Sequence, residues 1–137
     1  YVILIRAHAY TNKLLNIHFD DVVLDVSSYP CINDLFKISD VLISDYSASI
    51  IDYSILERPI ICFAYDYEEY KEQRGLYWDL EAEMPSGVMR TESEVLNHIL
   101  HMDYHAECNK SRVLKQKYNQ YGGSATEKCI EALCRTQ

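Results

Sequence analysis

A cluster of small hydroxylated and acidic residues lies between an apolar run that begins at Val41 and a stretch with apolar residues at helical spacing. The cluster comprises Ser44, Asp45, Ser47, Ser49 and Asp52. Backbone N–H groups are free at a helix start and the helix dipole attracts anions there, so these serines can bind a diphosphate. The Asp52 carboxylate can accept hydrogen bonds from ribose hydroxyls. These residue types indicate a site for a nucleotide diphosphate.

Two groups that can carry positive charge, Arg6 and His8, follow the apolar run at the start of the chain. Ligands of open parallel sheets bind outside the carboxyl ends of the strands. We therefore expect Arg6 and His8 to converge with the serine cluster, and with Tyr65 and Asp66, on one edge of a sheet. Each residue alone has an ordinary explanation, because serines often cap helices and histidines are common in loops. The expected convergence favours a ligand site.

Apolar runs alternate with helix-like stretches through the first half of the chain. The runs predict strands over 1–6, 22–26, 41–44 and 60–64. Helices are predicted around 13–16, over 34–39 with Asn33 as cap, and over 47–56, where Pro59 prevents continuation. This alternation predicts an α/β fold with a doubly wound parallel sheet, in which right-handed crossovers place helices on both faces.

The second half of the chain is less regular. After Asp66 the pattern loosens, and the following residues to about Gly87 predict an excursion over the surface. Thr91 and Glu94 form a capping box, which predicts a helix to about Met102. Further helices are expected over 107–118 and after the cap residue Ser124. We expect the helices of residues 104–137 to pack on the sheet domain.

The composition is typical of one globular domain. The chain has 137 residues, of which 48% are hydrophobic, enough to bury one core. It begins with Tyr1 inside an apolar run, so we expect it to be a piece of a longer protein. The net charge of −8 argues against a nucleic-acid partner, because such proteins bind phosphates with clustered Lys and Arg.

The charge is uneven along the chain. Residues 104–137 carry six basic and three acidic groups, which predicts a solvated helix face, with an anionic membrane surface as the alternative partner. Five cysteines without a C-x-x-C pair favour reduced thiols and a cytoplasmic location. No apolar run approaches the length of a membrane span, and no signal peptide is visible.

Several motifs, in their order and spacing, resemble one family. They are Arg6-Ala7-His8, residues 38–47, Asp52-Tyr53, Arg58-Pro59, residues 63–66 and residues 74–77. Over about residues 1–100 they resemble the carboxyl-terminal half of the CDP-glycerol glycerophosphotransferases, the teichoic acid polymerase and primase family. Two places depart from the family pattern, since His8-Ala9 stands for the usual His-Pro and Pro85-Ser86-Gly87 for the usual Pro-Gly.

The resemblance implies an enzyme of GT-B architecture, of which residues 1–137 are the Rossmann-like nucleotide-binding domain and whose amino-terminal domain is missing here. It implies transfer of glycerol phosphate from CDP-glycerol, or a related CDP-polyol, to a polymer or lipid-linked hydroxyl with release of CMP. The expected location is the cytoplasmic side of the cell membrane, with peripheral contact to it. The implied pathway is the synthesis of teichoic-acid-like polymers.

The resemblance also implies residue roles. His8 matches the family histidine that contacts the donor diphosphate and is the expected catalytic residue. Ser47, Ser49 and Asp52 lie in the matching donor-binding segment. Arg6, Ser44 and Asp45 complete the expected substrate-binding set. Because protonated His8, Arg6 and the helix start can stabilise charge on the transferred phosphate, we expect neither a metal nor a cofactor.

The catalytic base is implied to lie in the missing domain. The isolated chain is therefore expected to bind a cytidine nucleotide weakly and to be inactive alone. One alternative is another GT-B enzyme that uses CDP-ribitol or a nucleotide sugar. A non-catalytic receiver-like module is a second alternative, but it needs carboxylates where Arg6 and His8 stand.

Two further residue patterns have competing interpretations. His98, His101, His105 and Cys108 are spaced so that one helix could present them to a metal, but Met102 and Asp103 are expected to interrupt that helix. Most of the twelve tyrosines are expected to pack in or near the core, with stacking on a cytosine as the alternative.

Overall fold

The computed structural model describes residues 1–7 and 17–135. They belong to two compact units, residues 1–38 and residues 39–137. Every strand pair among the described residues is parallel, so the predicted α/β fold with parallel strands is confirmed. His8 and the helix predicted around 13–16 lie outside the described residues.

The first unit contains two parallel strands and one helix, β1 (Ile3–Ile5), β2 (Val23–Asp25) and α1 (Ile32–Ile38). Leu35 and Phe36 are the buried residues of α1. The prediction that Asn33 caps this helix is wrong, because α1 already includes Asn33. The first turn forms earlier, since the carbonyl of Cys31 accepts the Asp34 N–H at 3.3 Å.

The second unit is built on a three-stranded parallel sheet with the order β3-β4-β5. The strands are β3 (Leu42–Ser44), β4 (Ile60–Phe63) and β5 (Val88–Met89). The central strand β4 is the most buried, and Ile60, Ile61 and Cys62 expose at most 1% of their surface. A continuous apolar run is typical of a parallel strand covered on both faces.

Helix α2 (Ser49–Ser54) connects β3 to β4 and is shorter than the predicted helix over 47–56. It ends in a turn whose residue Glu57 has a φ of 54°, a left-handed conformation that few residues other than glycine adopt. Tyr53 is fully buried on this helix, and its hydroxyl donates to the carbonyl of Ser39 at 2.8 Å. Tyr53 thereby fixes α2 against the chain that enters β3.

Residues 67–90, for which the sequence predicts only an excursion over the surface, contain regular structure. They form α3 (Tyr67–Arg74), α4 (Leu80–Glu83) and β5. The sequence shows no amphipathic pattern for α3, because the helix is polar on most sides and buries only Tyr67. The two-residue strand β5 is too short to show an alternating pattern.

Three helices complete the second unit, α5 (Glu92–His101), α6 (Tyr104–Tyr118) and α7 (Ala125–Cys134). The capping box of Thr91 and Glu94 is confirmed. Helix α6 begins three residues earlier than predicted, because the Asp103 carboxylate accepts the N–H groups of His105 and Ala106. Ser124 precedes α7 as predicted, but its hydroxyl donates to the Tyr121 carbonyl and makes no capping bond.

Helix α6 is hydrogen-bonded to the carboxyl-terminal end of α2. The Asn119 amide, directly after α6, donates to the Ile51 carbonyl at 2.9 Å and to Ser54 Oγ at 3.1 Å. Ser54 is fully buried and also donates to the Ile51 carbonyl at 2.7 Å. We call these contacts, together with those of Glu57 described below, the α2–α6 junction.

Candidate functional site

A cleft of about 580 Å³ lies in the second unit beside the loop that connects β3 to α2. Ligand cavities typically measure roughly 300–1,000 Å³, so the cleft is large enough for a nucleotide-sized molecule. Its walls come from the start of the β3–α2 crossover and from the chain between α3 and α4. The lining residues used below are Asp45, Tyr46, Ser47, Tyr70, Arg74 and Tyr77.

One wall of the cleft is a pair of stacked rings. Tyr46 and Tyr70 lie with ring centroids 3.7 Å apart and planes 8° from parallel. The Tyr46 hydroxyl donates to Asp66 Oδ1 at 2.7 Å. Burial and this hydrogen bond raise the pKa of Tyr46 well above its ordinary value, so the phenol stays protonated at neutral pH. The Arg74 guanidinium lies 5.9 Å from the Tyr70 centroid.

The loop between β3 and α2, to which Tyr46 belongs, also brings Asp45 and Ser47 to the cleft. Ser47 Oγ accepts the N–H of Ser49 at 3.2 Å, which satisfies one of the free donors at the start of the helix. The Asp45 carbonyl accepts a hydrogen bond from the Cys62 thiol at 3.7 Å, while the exposed Asp45 side chain lines the cleft. Burial raises the pKa of Cys62 to about 11, so this thiol is not a nucleophile at neutral pH.

The structure brings Asp45 and Ser47 of the predicted site residues together in the cleft. Ser44 ends β3, and Ser49 and Asp52 lie in the first turn of α2, but none of these three lines the cleft. Asp52 is exposed, whereas Ser44 and Ser49 are half-buried.

Of the remaining predicted site residues, the structure describes Arg6. Arg6 follows β1 in the first unit, is exposed, and donates to the backbone carbonyls of Tyr29 and Val26. These bonds hold the loop after β2. His8, the expected catalytic residue, is outside the described residues. Its role and that of Arg6 stay predictions.

Sequence reasoning missed the wall formed by Tyr70, Arg74, Tyr77 and Trp78. A signal was present, because Arg74-Gly75-Leu76-Tyr77 belongs to the motifs that carry the family resemblance. The loose pattern of this segment nevertheless predicts only an excursion over the surface. Gly75, with a φ of 72°, ends α3 and leads the chain into residues 76–78 of the cleft.

The rival histidine cluster is divided between two helices. His98 and His101 belong to α5, whereas His105 and Cys108 belong to α6, and the break falls at Met102 and Asp103 as expected. His98 Nε2 lies 3.6 Å from the buried carboxylate of Glu107. Across the described ranges, no group of three or more His, Cys, Asp or Glu side chains is arranged to hold a metal ion.

The basic residues of α6 are largely paired with carboxylates. Glu57 accepts Arg112 Nε at 2.8 Å and Lys115 Nζ at 2.7 Å, which completes the α2–α6 junction. Lys117 and Lys110 pair with Glu83 and Glu107 in the same way. These pairings favour the solvated helix face over a patch for anionic lipid. Within the part of the chain that is described, no helix has the length and apolar character needed to cross a bilayer.

A parallel α/β unit with a cleft beside a strand–helix loop defines the class of α/β ligand-binding domains. Comparison with known families makes the assignment specific. The family model for CDP-glycerol:poly(glycerophosphate) glycerophosphotransferase matches residues 1–135, and the chain belongs to this family.

Individual relatives agree with this membership. The teichoic acid glycerol-phosphate transferase of Staphylococcus aureus is 38% identical over 104 residues, covering 75% of this chain and 26% of the relative. The teichoic acid ribitol-phosphate primase of Bacillus spizizenii is 33% identical over 132 residues, covering 96% of this chain and 34% of the relative. The chain thus spans between a quarter and about a third of the length of these relatives.

A solved structure of the wall teichoic acid polymerase TagF superposes with a TM-score of 0.80 at 30% identity, covering 97% of this chain and 33% of the polymerase. The structure of a TagF variant soaked with CDPG matches equally well. This likeness confirms the fold predicted for one half of a GT-B enzyme.

Proposed function

We propose that the protein to which this chain belongs transfers a polyol phosphate, glycerol phosphate in the first instance, from its CDP-linked form to a hydroxyl on a growing polymer or lipid-linked acceptor. The chain supplies the donor-binding domain. Its acceptors are the precursors of a teichoic-acid-like cell-surface polymer, and the reaction takes place at the inner face of the cell membrane.

The observation that carries the proposal is the cleft beside the β3–α2 loop, in a chain of this family. Its walls combine a serine at a helix start, an arginine and stacked tyrosines. Hydroxyl and guanidinium groups bind phosphate, and an aromatic face can pack against a base or a polyol. A solved relative was soaked with CDPG, which supports the same class of donor for this domain.

The reaction breaks one phosphoric anhydride bond. The acceptor oxygen attacks the phosphorus that bears glycerol and forms a new phosphoester bond. The P–O bond to CMP breaks, and CMP leaves with the electron pair. In the proposal, Arg6, His8 and Ser47 stabilise charge on the phosphoryl oxygens, and a base from the missing domain takes the acceptor proton.

Ribitol phosphate is the second candidate for the transferred group. The specific observation that favours it is the ribitol-phosphate primase of Bacillus spizizenii, which matches 96% of this chain. The two donors therefore have to be compared directly.

Donor preference tests the proposal in the full-length protein. CMP release and equilibrium binding are measured with CDP-glycerol, CDP-ribitol and a UDP-sugar, using a polyol-phosphate oligomer as acceptor. We expect one CDP-polyol to bind at least about tenfold more tightly than the UDP-sugar, since hydrogen bonds that discriminate between two bases contribute about 1–3 kcal/mol. Absence of CMP release from both CDP-polyols would refute the proposal.

Two variants locate the donor site within the protein. Ser47→Ala is expected to raise the KM for the CDP-polyol about tenfold, because a hydrogen bond to a charged group contributes about 1.5–3 kcal/mol. Ser93→Ala, an exposed serine of α5 outside the cleft, is the matched control. Equal KM values for the two variants would remove Ser47 from the donor site.

Assays of the isolated 137-residue chain test whether it contains all the residues that the transfer reaction needs. We expect it to release no CMP from any donor while full-length protein does, because the catalytic base lies outside it. Circular dichroism establishes first that the chain is folded. Turnover by the folded chain alone would place the base within residues 1–137.

A further inference from the structure

Five of the six arginines of the described residues bond to backbone carbonyls or to side-chain oxygens. Their partners are the Tyr29 carbonyl for Arg6, the Ser39 carbonyl for Arg58, Glu68 and Glu81 for Arg90, Glu57 for Arg112, and Glu131 for Arg135. Arg74 is different, because within the described ranges its guanidinium makes a ring contact with Tyr70 and neither a hydrogen bond nor an ion pair. Five donor N–H groups of Arg74 are therefore available to a ligand.

The position of Arg74 places this available charge in the cleft. Among the described residues that line the cleft, Arg74 is the one cation. It stands in the last turn of α3, directly before Gly75 turns the chain. The chain has a net charge of −8, so the positive charge of Arg74 in the cleft is opposite in sign to the net charge of the chain. Such a group attracts an anion from solution.

The rings beneath Arg74 restrict where its guanidinium can lie. Tyr70 stacks on Tyr46 at 3.7 Å, and Tyr46 is held in turn by its hydrogen bond to Asp66. A planar guanidinium over a fixed aromatic face loses less freedom when it binds than a freely rotating side chain. The stacked rings therefore orient a cation that is chemically suited to a planar, bidentate partner.

We propose that Arg74 binds a phosphate group of the substrate in the cleft and is a specificity-determining residue of the transferase. Guanidinium groups bind phosphate through two parallel hydrogen bonds, which fits this placement. The proposal rests on the proposed function and deepens it. The phosphate belongs either to the donor diphosphate or to the terminal phosphodiester of the acceptor, and the two are separated by experiment.

Steady-state kinetics of the full-length protein distinguish the two sources. Arg74→Ala is expected to raise one KM by about 10- to 100-fold, the effect of losing a charge-assisted hydrogen bond. A rise in the KM for the CDP-polyol assigns Arg74 to the donor, and a rise in the KM for the acceptor assigns it to the acceptor. Arg74→Lys keeps the charge but not the bidentate geometry and should recover only part of the loss.

The matched control is Lys71→Ala. Lys71 is an exposed cation on the same helix, lies over the Tyr67 ring, and does not line the cleft. The Lys71→Ala substitution removes the same charge as Arg74→Ala and should leave both KM values within about twofold of wild type. Kinetics of Arg74→Ala that equal those of Lys71→Ala would overturn the proposal, while turnover of CDP-polyol by both would leave the proposed function intact.

Binding of inorganic pyrophosphate gives a readout that does not depend on the transfer reaction. Titration calorimetry should show binding to wild type and Lys71→Ala and at least about tenfold weaker binding to Arg74→Ala. Equal binding by all three proteins, together with KM values for donor and acceptor that Arg74→Ala leaves unchanged, would overturn the role of Arg74 whatever the enzyme transfers. Thermal unfolding of Arg74→Ala, expected within about 2 °C of wild type, shows that the side chain does not act through the fold.

Discussion

The two ends of helix α2 differ in how they are held. At the amino-terminal end, next to the cleft, Ser47 Oγ accepts the Ser49 N–H, and the carbonyls of Ser47 and Ala48 accept the N–H groups of Ile50 and Ile51. At the carboxyl-terminal end, Asn119 bonds to Ile51 and Ser54, and Glu57 accepts two cations from α6. A short helix is thus hydrogen-bonded to α6 at one end, while the described hydrogen bonds at its other end lie within its own segment.

This difference indicates that the contacts that hold α2 in place lie at one end of the helix and the groups available to a ligand lie at the other. Backbone and hydroxyl groups that bind a phosphate must not already be satisfied by the protein, whereas their position must be fixed by contacts elsewhere. The α2–α6 junction provides such contacts away from the cleft. Substitutions in the junction should therefore change the free energy of unfolding, and substitutions at the cleft should change substrate binding.

The largest expected effect on stability is at the buried part of the junction. Asn119→Ala should lower the free energy of unfolding by about 1–2 kcal/mol, because the buried Ser54 hydroxyl and Ile51 carbonyl lose a hydrogen-bond donor. Chemical denaturation measures the change. Asn109→Ala, which removes only a bond to Arg112 on the exposed face of α6, is the control and should be close to neutral. Equal stabilities would show that the junction contributes nothing.

A smaller effect is expected at Glu57, where two contributions can be separated. Glu57→Ala removes the partners of Arg112 and Lys115 and keeps a side chain at a φ of 54°. Glu57→Gly removes the same partners but relieves the left-handed backbone. We expect both variants to melt below wild type and the glycine variant to melt above the alanine variant. The reverse order would contradict the assigned backbone strain.

The pH dependence of the free energy of unfolding tests how much the buried Glu107 carboxylate of α6 contributes to stability. Burial acts to raise the pKa of the Glu107 carboxyl, but hydrogen bonds from Lys110 and Ser86 outweigh it and hold the pKa below its ordinary value of 4.5. The folded state therefore binds this proton less tightly than the unfolded state. The stabilisation is complete above the unfolded pKa and is lost as the pH falls through the lower folded pKa.

Glu107→Gln removes that dependence. Melting temperatures recorded between about pH 3 and pH 6 should fall less steeply toward acid in this variant than in wild type. Glu92→Gln, which removes an exposed carboxylate of α5, should keep the wild-type slope. A wild-type slope in Glu107→Gln would mean that other carboxylates determine the acid sensitivity.

The smallest effect on stability is expected at the cleft end of α2. Ser47→Ala removes one exposed hydrogen bond at the start of the helix and should cost about 0.5 kcal/mol of unfolding free energy. The same substitution is expected to raise the KM for the donor about tenfold, which corresponds to a larger free-energy change than this loss of stability. Chemical denaturation beside the kinetics gives both values, and a stability loss as large as that of Asn119→Ala would remove the distinction between the two ends.

Much of the fold was predictable from local patterns. The apolar runs at 41–44 and 60–64 became parallel strands, and Thr91 with Glu94 began a helix through a capping box, because both signals depend only on neighbours in the chain. Segments with weak patterns were missed. Helix α3 is polar on most sides, so its formation depends on the contacts of Tyr67 and Tyr70 rather than on periodicity.

The candidate site was predictable in part for the same reason. Asp45 and Ser47 were found because they follow a strong strand signal, and both line the cleft. The part of the lining with Tyr70 and Arg74 comes from a helix about 25 residues further along the chain. Spacing along the chain does not indicate which ring will stack on which, so this wall could not be derived from residue types alone.

By itself, the sequence determined the alternation of strands and helices, the acidic character of the chain and the motifs that resemble the family. These properties follow from composition and from interactions between near neighbours. The tertiary structure decided that, among residues 1–7 and 17–135, no carboxylate pairs with Arg74 in the cleft while the cations of α6 are paired. It also decided that α2 is fixed at the end far from the cleft. Both outcomes depend on packing between segments that are distant in the chain. The conformational preferences of neighbouring residues do not determine such packing.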